Sequence, residues 1–404
     1  MTENTSVADT TAVDPFMFLQ RQGLDPVKEL PAMAASGPVH ELQFPFGITA
    51  WLVTGYDAAK TVLGDTAAFS NDFAYLTSMA ADGLDGKQNP GGLGMSDPPE
   101  HTRLRKMLTP EFTMRRLNRL APRVTAIVDE LLDNMAESGS PVDFVESFAM
   151  PLPSLVICEL LDVPYPDREA FTKFSSSRFD IFGGAGSGLD AVGESLAYMG
   201  ELVTMQRAHP GDGLLGGLIR TYGDALDDRE LAGLADGILV GGHETTASML
   251  ALGAMVLMSN AQFADAMRGG DDVAVHQAVE ELLRYLSVVQ VAFPRFARKD
   301  IEVCGKQIHA GQMVLCSLSA ANRDPVLGGD PERFDTHREP GPNLAFGYGI
   351  HRCIGSELAR MELRTAYPAL LRRFPGLQLS VPLGDIAFRE YSIVYGVDSL
   401  PVGW

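Results

Sequence analysis

Residues 229 to 259 hold the longest apolar helical run in the chain, with its polar interruption at the middle. Leu231, Leu234, Ile238, Leu239 and Val240 lead into Gly241-Gly242-His243-Glu244-Thr245-Thr246, and Met249 to Met258 follow. Such a run is either a membrane span or the central helix of a large core. The span is rejected, because Asp236, His243 and Glu244 fall inside the segment and its flanks lack the basic asymmetry of a membrane helix. A helix apolar all round therefore runs through the middle of a globular core. Its polar centre is costly. Two adjacent glycines weaken a helix by about 1 kcal/mol each, and a buried glutamate costs more unless solvated or paired. A zinc pattern H-E-x-x-H fails, since the second histidine position is Ala247. What remains is an acid beside a hydroxyl where the backbone can be approached closely. Glu244 and Thr245 are thus candidates for passing protons to a bound ligand.

The second constraint lies near the C-terminus, at Phe346-Gly347-Tyr348-Gly349-Ile350-His351-Arg352-Cys353-Ile354-Gly355, which leads into the helix formers Ser356-Glu357-Leu358-Ala359-Arg360. A cysteine at a helix start meets unpaired N–H groups and the positive end of the helix dipole, which favour a thiolate. Gly347, Gly349 and Gly355 allow the backbone to press against something large and flat, and a planar macrocycle meets that requirement. A lone cysteine in such a loop is also an ordinary small buried hydrophobe, and the local sequence leaves both readings open.

The net charge of -20 argues against general binding to nucleic acid or anionic membrane, both of which need clustered positive charge. Against that background, seven Lys/Arg with one acid, Glu111, between His101 and Arg123 form an anomalous basic run. His101 and Arg105 share one helical face, able to grip a common anion. Four widely spaced cysteines without a C-x-x-C pair suggest neither disulfides nor zinc, and a reducing, cytoplasmic setting is expected. The N-terminus shows neither signal peptide nor membrane anchor and is expected to fray.

Strand-like Val39 to Phe44 and Ala50 to Thr54, joined by Pro45-Phe46-Gly47, predict a hairpin. Residues 71 to 96 read as a long mobile connection. From Ala121 to Asp228 the pattern is mostly helical, with the glycine-rich run 183 to 188 joining helices; without a lysine or a preceding strand, that run is a weak phosphate loop. Glu281 and Arg284 stand at i, i+3 on a later helix, a pair that in isolation is usually an exposed bridge. Short strands from Ile301 to Leu315 predict a small antiparallel sheet, and strand character returns around Ile393-Val394-Tyr395.

In this order and at these separations, four pieces resemble the cytochrome P450 haem-thiolate monooxygenases of the soluble bacterial type. They are Phe346-Gly347-x-Gly349-x-His351-x-Cys353-x-Gly355, Gly241-Gly242-x-Glu244-Thr245-Thr246, Glu281-x-x-Arg284 with Arg333, and His101-x-x-x-Arg105. A Rossmann reading of Gly347-x-Gly349 fails because position 352 is arginine. The resemblance implies one P450 domain over 1–404 with a flexible tail at 1–14, and a mainly α fold with a smaller β-rich region and a long central helix over the haem. It makes Cys353 the axial ligand of haem b (iron protoporphyrin IX). His101, Arg105, Arg295 and His351 then bind its propionates, with Gly241, Phe346, Gly347 and Gly355 lining the cofactor. Glu281, Arg284 and Arg333 become a buried structural network, and Glu244 and Thr245 steer protons. Gly241 stands where alanine is commoner, and Pro368 falls where the family's helix usually runs unbroken, which puts that helix's end in question.

The implied reaction inserts one atom of O2 into a hydrophobic small molecule, such as a steroid, terpenoid or polyketide, by hydroxylation or epoxidation. Lacking flavin, nicotinamide and iron-sulfur motifs, the chain needs a redox partner, and an acidic ferredoxin or flavodoxin could dock on the basic run near Arg115, Arg116 and Arg352. A monomer is expected. Pocket candidates are Phe73, Met79, Phe174, Phe179, Phe182, Val240, Val288, Val289, Val291, Ile393 and Val394. Peroxide-driven oxidation, nitric oxide reduction and haem-based sensing are the rival functions. The first two usually go with loss of the acid at Glu244, and no output module accompanies the third.

Overall fold

The computed structural model describes residues 14–72, 74, 93–168, 185–335 and 337–404, with the backbone alone for residues 46 and 185–192. The central helix begins where its capping chemistry predicts. Asp227 accepts from the Glu230 N–H at 2.8 Å, and the Glu230 carboxylate accepts from the Asp227 N–H at 3.1 Å, a reciprocal pair that satisfies two orphan donors. The helix then runs 32 residues, Asp228–Ser259, until Asn260 caps the next helix through Phe263 N–H. At 1.5 Å per residue it spans about 48 Å.

The helices that position the site, in chain order, are α1 (Tyr56–Gly64), α2 (Glu100–Leu108), α3 (Met114–Leu117), α4 (Ala121–Ser138), α5 (Pro151–Leu161), α6 (Ala185–Ala208), α7 (the central helix, Asp228–Ser259), α8 (Ala261–Gly269), α9 (Asp272–Leu286) and α10 (Ser356–Arg373). α7 packs against α5, α6 and α10, so its apolar residues are buried on all sides, as an all-round apolar helix requires. α10 is tied to it at Tyr367, whose hydroxyl donates to the Met249 carbonyl; Gly253 leaves room for that ring. Among the described residues no single helix is long and apolar enough to cross a membrane, and the bent pair α7 and α8 that passes on composition belongs to this core.

Besides a two-residue antiparallel pair near the N-terminus, Arg21–Gln22 with Asp25–Pro26, the strands among the described residues are β1 (Val39–Gln43), β2 (Thr49–Val53), β3 (Phe69–Ser70), β4 (Val142–Asp143), β5 (Arg295–Ala297), β6 (Ile301–Val303), β7 (Lys306–Ile308), β8 (Met313–Cys316), β9 (Gln378–Leu379) and β10 (Pro401–Gly403). β1 and β2 form the expected hairpin, and of the later strands only the first two make the expected separate antiparallel sheet. Only β6 and β7 pair with each other; β8 lies parallel to β2, with Met313 opposite Ala50, in a sheet ordered β1-β2-β8-β5-β3. The long chain between β2 and β8 permits that parallel pairing, which a short turn cannot make. A three-stranded sheet, β9-β10-β4, closes the far side.

Two further expectations are corrected. The glycine-rich run is helical in its second half, since α6 begins at Ala185 within it, although glycine disfavours helix interiors; Gly183 and Gly184 lie outside the described residues. α10 continues through Pro368 to Arg373, because Tyr367, Leu370 and Leu371 around the proline are buried and that packing outweighs the lost hydrogen bond.

Candidate functional site

Beneath the middle of α7 lies a cavity of about 980 Å³ with a predominantly apolar wall. α7 contributes Val240, Gly241, Thr245 and Thr246, and facing them are Phe346, Gly347, Cys353 and Gly355 from the loop before α10. The two motifs, more than a hundred residues apart in the chain, thus form walls of one space. Gly241 has no atom from beyond its own stretch of helix backbone within 4 Å of the place its Cβ would occupy, so the helix surface is left open there.

The cysteine loop is shaped by local constraints. Gly347 and Gly349 have φ of +67° and +74°, the left-handed region that side chains resist. Gly349 does not line the cavity. A Cβ there would lie 2.6 Å from the Leu63 carbonyl oxygen, so its glycine serves the packing of the loop against α1. The Cys353 N–H donates to the Phe346 carbonyl at 2.9 Å, which turns the loop back on itself and delivers the sulfur to the cavity just before Ser356 starts α10. Burial raises the pKa of the thiol. The Gly355 N–H and the cations Arg105, Arg352 and Arg360 oppose that rise, an arrangement prepared for an anionic sulfur.

A second group of side chains meets at the same cavity. His101 and Arg105 come from α2, Arg295 from β5 and His351 from the loop, all lining it. Both ring nitrogens of His101 and Nε2 of His351 are buried without a hydrogen-bond partner, and the two rings lie 4.1 Å apart at 45°. Arg295 is buried and donates to the Phe293 carbonyl at 2.8 Å and to the Asn71 side-chain oxygen. Burial and the neighbouring cations hold His351 down at about 3, and burial followed by Arg105 lowers His101. Buried donors with unspent capacity that repel each other's charge form a site for an anion with several oxygens. The two carboxylates of haem b meet that description, and the thiol, the open glycine and the apolar wall suit its ring. The residues present therefore fit the group.

Glu244 departs from expectation. It does not line the cavity; its carboxylate pairs at 2.6 Å with Arg389, which also bonds Asp398 at 2.6 Å. Residues 244 and 245 point about 100° apart on a helix, so an acid next to a cavity-facing threonine is turned toward the C-terminal segment. Thr245 does face the cavity, with its hydroxyl donating to the Gly241 carbonyl at 2.7 Å.

The Glu281–Arg284 pair is buried, each residue 4% exposed, and bidentate at 2.7 and 2.8 Å. Arg284 also donates to the carbonyls of Asn322, Pro331 and Arg333, and Glu281 accepts from the Asp335 N–H, so the pair holds the irregular segment leading toward Cys353. Arg333 is corrected as a network member: its side chain is exposed and only its carbonyl takes part. The second guanidinium on Glu281 is Arg338, at 3.3 Å, which the irregular backbone turns inward.

Of the apolar pocket candidates, Val240, Val288, Val289, Val291, Ile393 and Val394 line the cavity, with Val289 bridged to Val394. Phe73, Met79, Phe174, Phe179 and Phe182 lie outside the described residues. The basic run is partly neutralised. Arg103 pairs with Glu100 and Glu230, Arg116 with Glu111 at 2.8 Å and Arg123 with Glu159 at 3.0 Å. Lys106, Arg115, Arg119 and Arg352 are exposed and make no ion pair among the described residues, while Met114, Tyr348 and Ile350 are exposed apolar groups on the same segments.

Sequence reasoning missed Arg360, Glu280, Arg389 and Glu362. Arg360 pairs with Glu280 at 2.5 Å and lies over the Phe346 ring, bracing the cysteine loop. It stands two helical turns beyond Cys353, a spacing that could have drawn attention to it. Arg389 carried no local signal.

The profile of the cytochrome P450 family matches residues 35–180 and 212–382. The cytochrome P450 monooxygenase PikC of Streptomyces venezuelae is 41% identical over 403 residues, covering 98% of this chain and 96% of that protein. Mycinamicin IV hydroxylase/epoxidase of Micromonospora griseorubida is 37% identical over 404 residues, covering 98% and 100%. Among solved structures, P450 StaH from glycopeptide antibiotic A47934 biosynthesis superposes with a TM-score of 0.87 at 41% identity, covering 96% of this chain and 99% of that one.

Proposed function

This chain belongs to the cytochrome P450 family and is a haem-dependent monooxygenase, and on that premise we propose that it oxidises a bulky hydrophobic natural product with electrons from a ferredoxin and its reductase. The observation that carries the proposal is the single cavity into which the Cys353 thiol, the unpartnered His101 and His351 nitrogens, Arg105 and Arg295 all converge.

In this reading Cys353 would bind the haem iron through its thiolate, and His101, Arg105, Arg295 and His351 would hold the propionates. When bound, haem supplies reductive activation of O2, sending one oxygen atom to the substrate and the other to water at the expense of two electrons and two protons. The chain's own residues handle position, dryness and protons. The apolar wall, with Val240, Val288, Val291 and Ile393, excludes water and orients a hydrophobic substrate over the open face at Gly241. The Thr245 hydroxyl, resting on the Gly241 carbonyl, can turn to pass a proton inward. Glu281 and Arg284 hold the approach to the cysteine loop, and Arg360 braces it against Phe346.

A large apolar cavity, and relatives named for mycinamicin IV oxidation and for glycopeptide antibiotic biosynthesis, support a natural product of polyketide, terpenoid or peptide type as substrate. Arg115, Arg119 and Arg352, beside exposed Met114, Tyr348 and Ile350, support docking of an acidic ferredoxin or flavodoxin on the cysteine side. α3, which carries Arg115, packs against α10 there.

The deciding test is the optical spectrum of the reduced, carbon monoxide-bound protein, compared between wild type and Cys353→Ser. The thiolate-type band is expected in the first and absent from the second; the same band in both rejects Cys353 as ligand. Turnover with reduced ferredoxin, compared with turnover on hydrogen peroxide alone, separates the monooxygenase reading from the peroxide-driven one. A panel of macrolactones, terpenoids and cyclic peptides, scored by substrate-induced spectral shifts, then identifies the substrate class.

A further inference from the structure

The cavity wall draws on two separate apolar clusters. One packs around α7 and α10; the other is built from the N-terminal segment, the β1–β2 hairpin and β8. From the second side Phe16, Phe18, Phe44, Pro45, Ile48 and Met313 line the cavity, and none of them has a part in holding haem or moving protons. Phe18 is buried, as a packing residue is. Phe16 and Phe44 are only partly buried, although both stand on the cavity wall. Their rings meet edge to face, with centroids 5.0 Å apart at 79°. Tyr391 meets Phe16 in the same way, at 6.5 Å and 87°. Its backbone has φ of +54°, a left-handed conformation that costs a bulky residue free energy.

A buried polar clasp holds these rings. Gln290, 1% exposed, donates through Nε2 to the Leu19 carbonyl at 2.9 Å and to the Ser392 carbonyl at 2.8 Å. Its side-chain oxygen accepts from Arg21 Nε at 2.8 Å, and Arg21 also donates to the Ser287 carbonyl at 2.9 Å. The clasp thus ties together the segment carrying Phe16, the segment carrying Val289 and Val291, and the segment carrying Tyr391 and Ile393. With the wall fixed in advance, a ligand that docks on it loses little affinity to ordering the protein. Aliphatic walls accept any apolar group. Aromatic rings carry a quadrupole and favour a further flat ring set edge to face or offset against them.

We propose that Phe16 and Phe44 form an outer subsite that binds an aryl ring of the substrate, at the end away from the atom that is oxidised. The proposal rests on the monooxygenase reading above and narrows its substrate class to elongated molecules that carry such a ring. The wall at Val240 and Gly241 takes the reacting end, and the aromatic pair anchors the other. Two anchors fix how far the molecule enters, and so which of its atoms is presented for oxidation.

Azole titrations of the holoenzyme test it. Two series of imidazolyl alkanes of stepped chain length, one ending in phenyl and the other in cyclohexyl, are ranked by the optical shift they cause, each affinity taken relative to unsubstituted imidazole. Cyclohexyl is the more hydrophobic end, so plain burial favours it. Phenyl should nevertheless bind about fivefold more tightly once the chain is long enough to reach the subsite. Phe16→Leu and Phe44→Leu, which keep the wall apolar, should each bring that ratio down toward one. A phenyl preference at no chain length overturns the proposal, and so does a preference that both variants retain. A normal carbon monoxide spectrum beside either negative result leaves the haem-thiolate reading standing and rejects the subsite alone, whereas a wild type without the thiolate-type band removes both.

Discussion

Two clusters of buried charge serve the chain around Cys353, and they are built in opposite ways. Around Glu281 and Arg284 every strong group is matched, with a bidentate ion pair, a second arginine and three backbone carbonyls as acceptors. Around His101, Arg105, Arg295 and His351 positive and potentially positive groups crowd together, with histidine nitrogens left unpartnered. Matched burial holds a fold together, whereas unmatched burial costs free energy until something else arrives. The difference separates a structural device from a binding site within one fold.

The largest expected effect comes from unbalancing the matched cluster. Glu281→Ala leaves Arg284 buried and uncompensated, which should cost about 3–5 kcal/mol and reduce the yield of folded holoprotein; thermal unfolding is the measure, and a loss within error would show the pair to be dispensable. The unmatched cluster should respond with the opposite sign. Arg105→Ala relieves repulsion, so the apoprotein's thermal midpoint should hold or rise, while haem retention weakens by about tenfold or more, the worth of a charge-assisted hydrogen bond. Haem transfer to apomyoglobin reads the second quantity, and equal losses in both would erase the distinction.

A pH experiment sharpens the comparison further. His351 sits at about 3 in the folded chain against an ordinary 6.5, so the unfolded chain takes up the proton first as pH falls. Its contribution to stability is complete above about pH 6.5 and is lost as the pH drops toward about 3. The apoprotein should therefore lose thermal stability on acidification more steeply than the holoprotein, in which haem carboxylates would raise the histidine's pKa. Parallel curves would mean that His351 does not meet the carboxylates. The smallest effect is expected at the surface, where Arg115→Glu should slow reduction by ferredoxin about threefold at low salt and less at high salt. Stopped-flow reduction measures it, and Arg116→Glu, starting from a residue already paired with Glu111, provides the contrast.

Much of the site was legible because its signals are local. Cys353, the glycines around it and the acid-threonine step on the long apolar helix are read within a few residues, since loop strain and helical period act over that range. Glu362 was also legible and was passed over: an acid at i+4 from Leu358 and i-4 from Ala366 interrupts an apolar stripe. Arg389 and Arg338 were not legible, because each finds its partner across a long loop and nothing in its own neighbourhood marks it. Arg333 was chosen by position in a motif, yet in an irregular segment one residue's turn of the backbone decides which arginine points inward.

The sequence by itself determined that this chain has a central helix too apolar for the surface, a thiolate-ready loop before the last long helix, and basic residues able to hold an anion. Local propensity, spacing and the cost of burying polar groups suffice for those. Only the tertiary structure decided which charges are answered. It paired Glu244 with Arg389 and left Glu362 bare, set β8 beside β2, and brought the four cavity-facing basic residues from three separate elements to one wall. Such partners are separated by tens to hundreds of residues, and the free energy that joins them belongs to the packed core rather than to any stretch of chain.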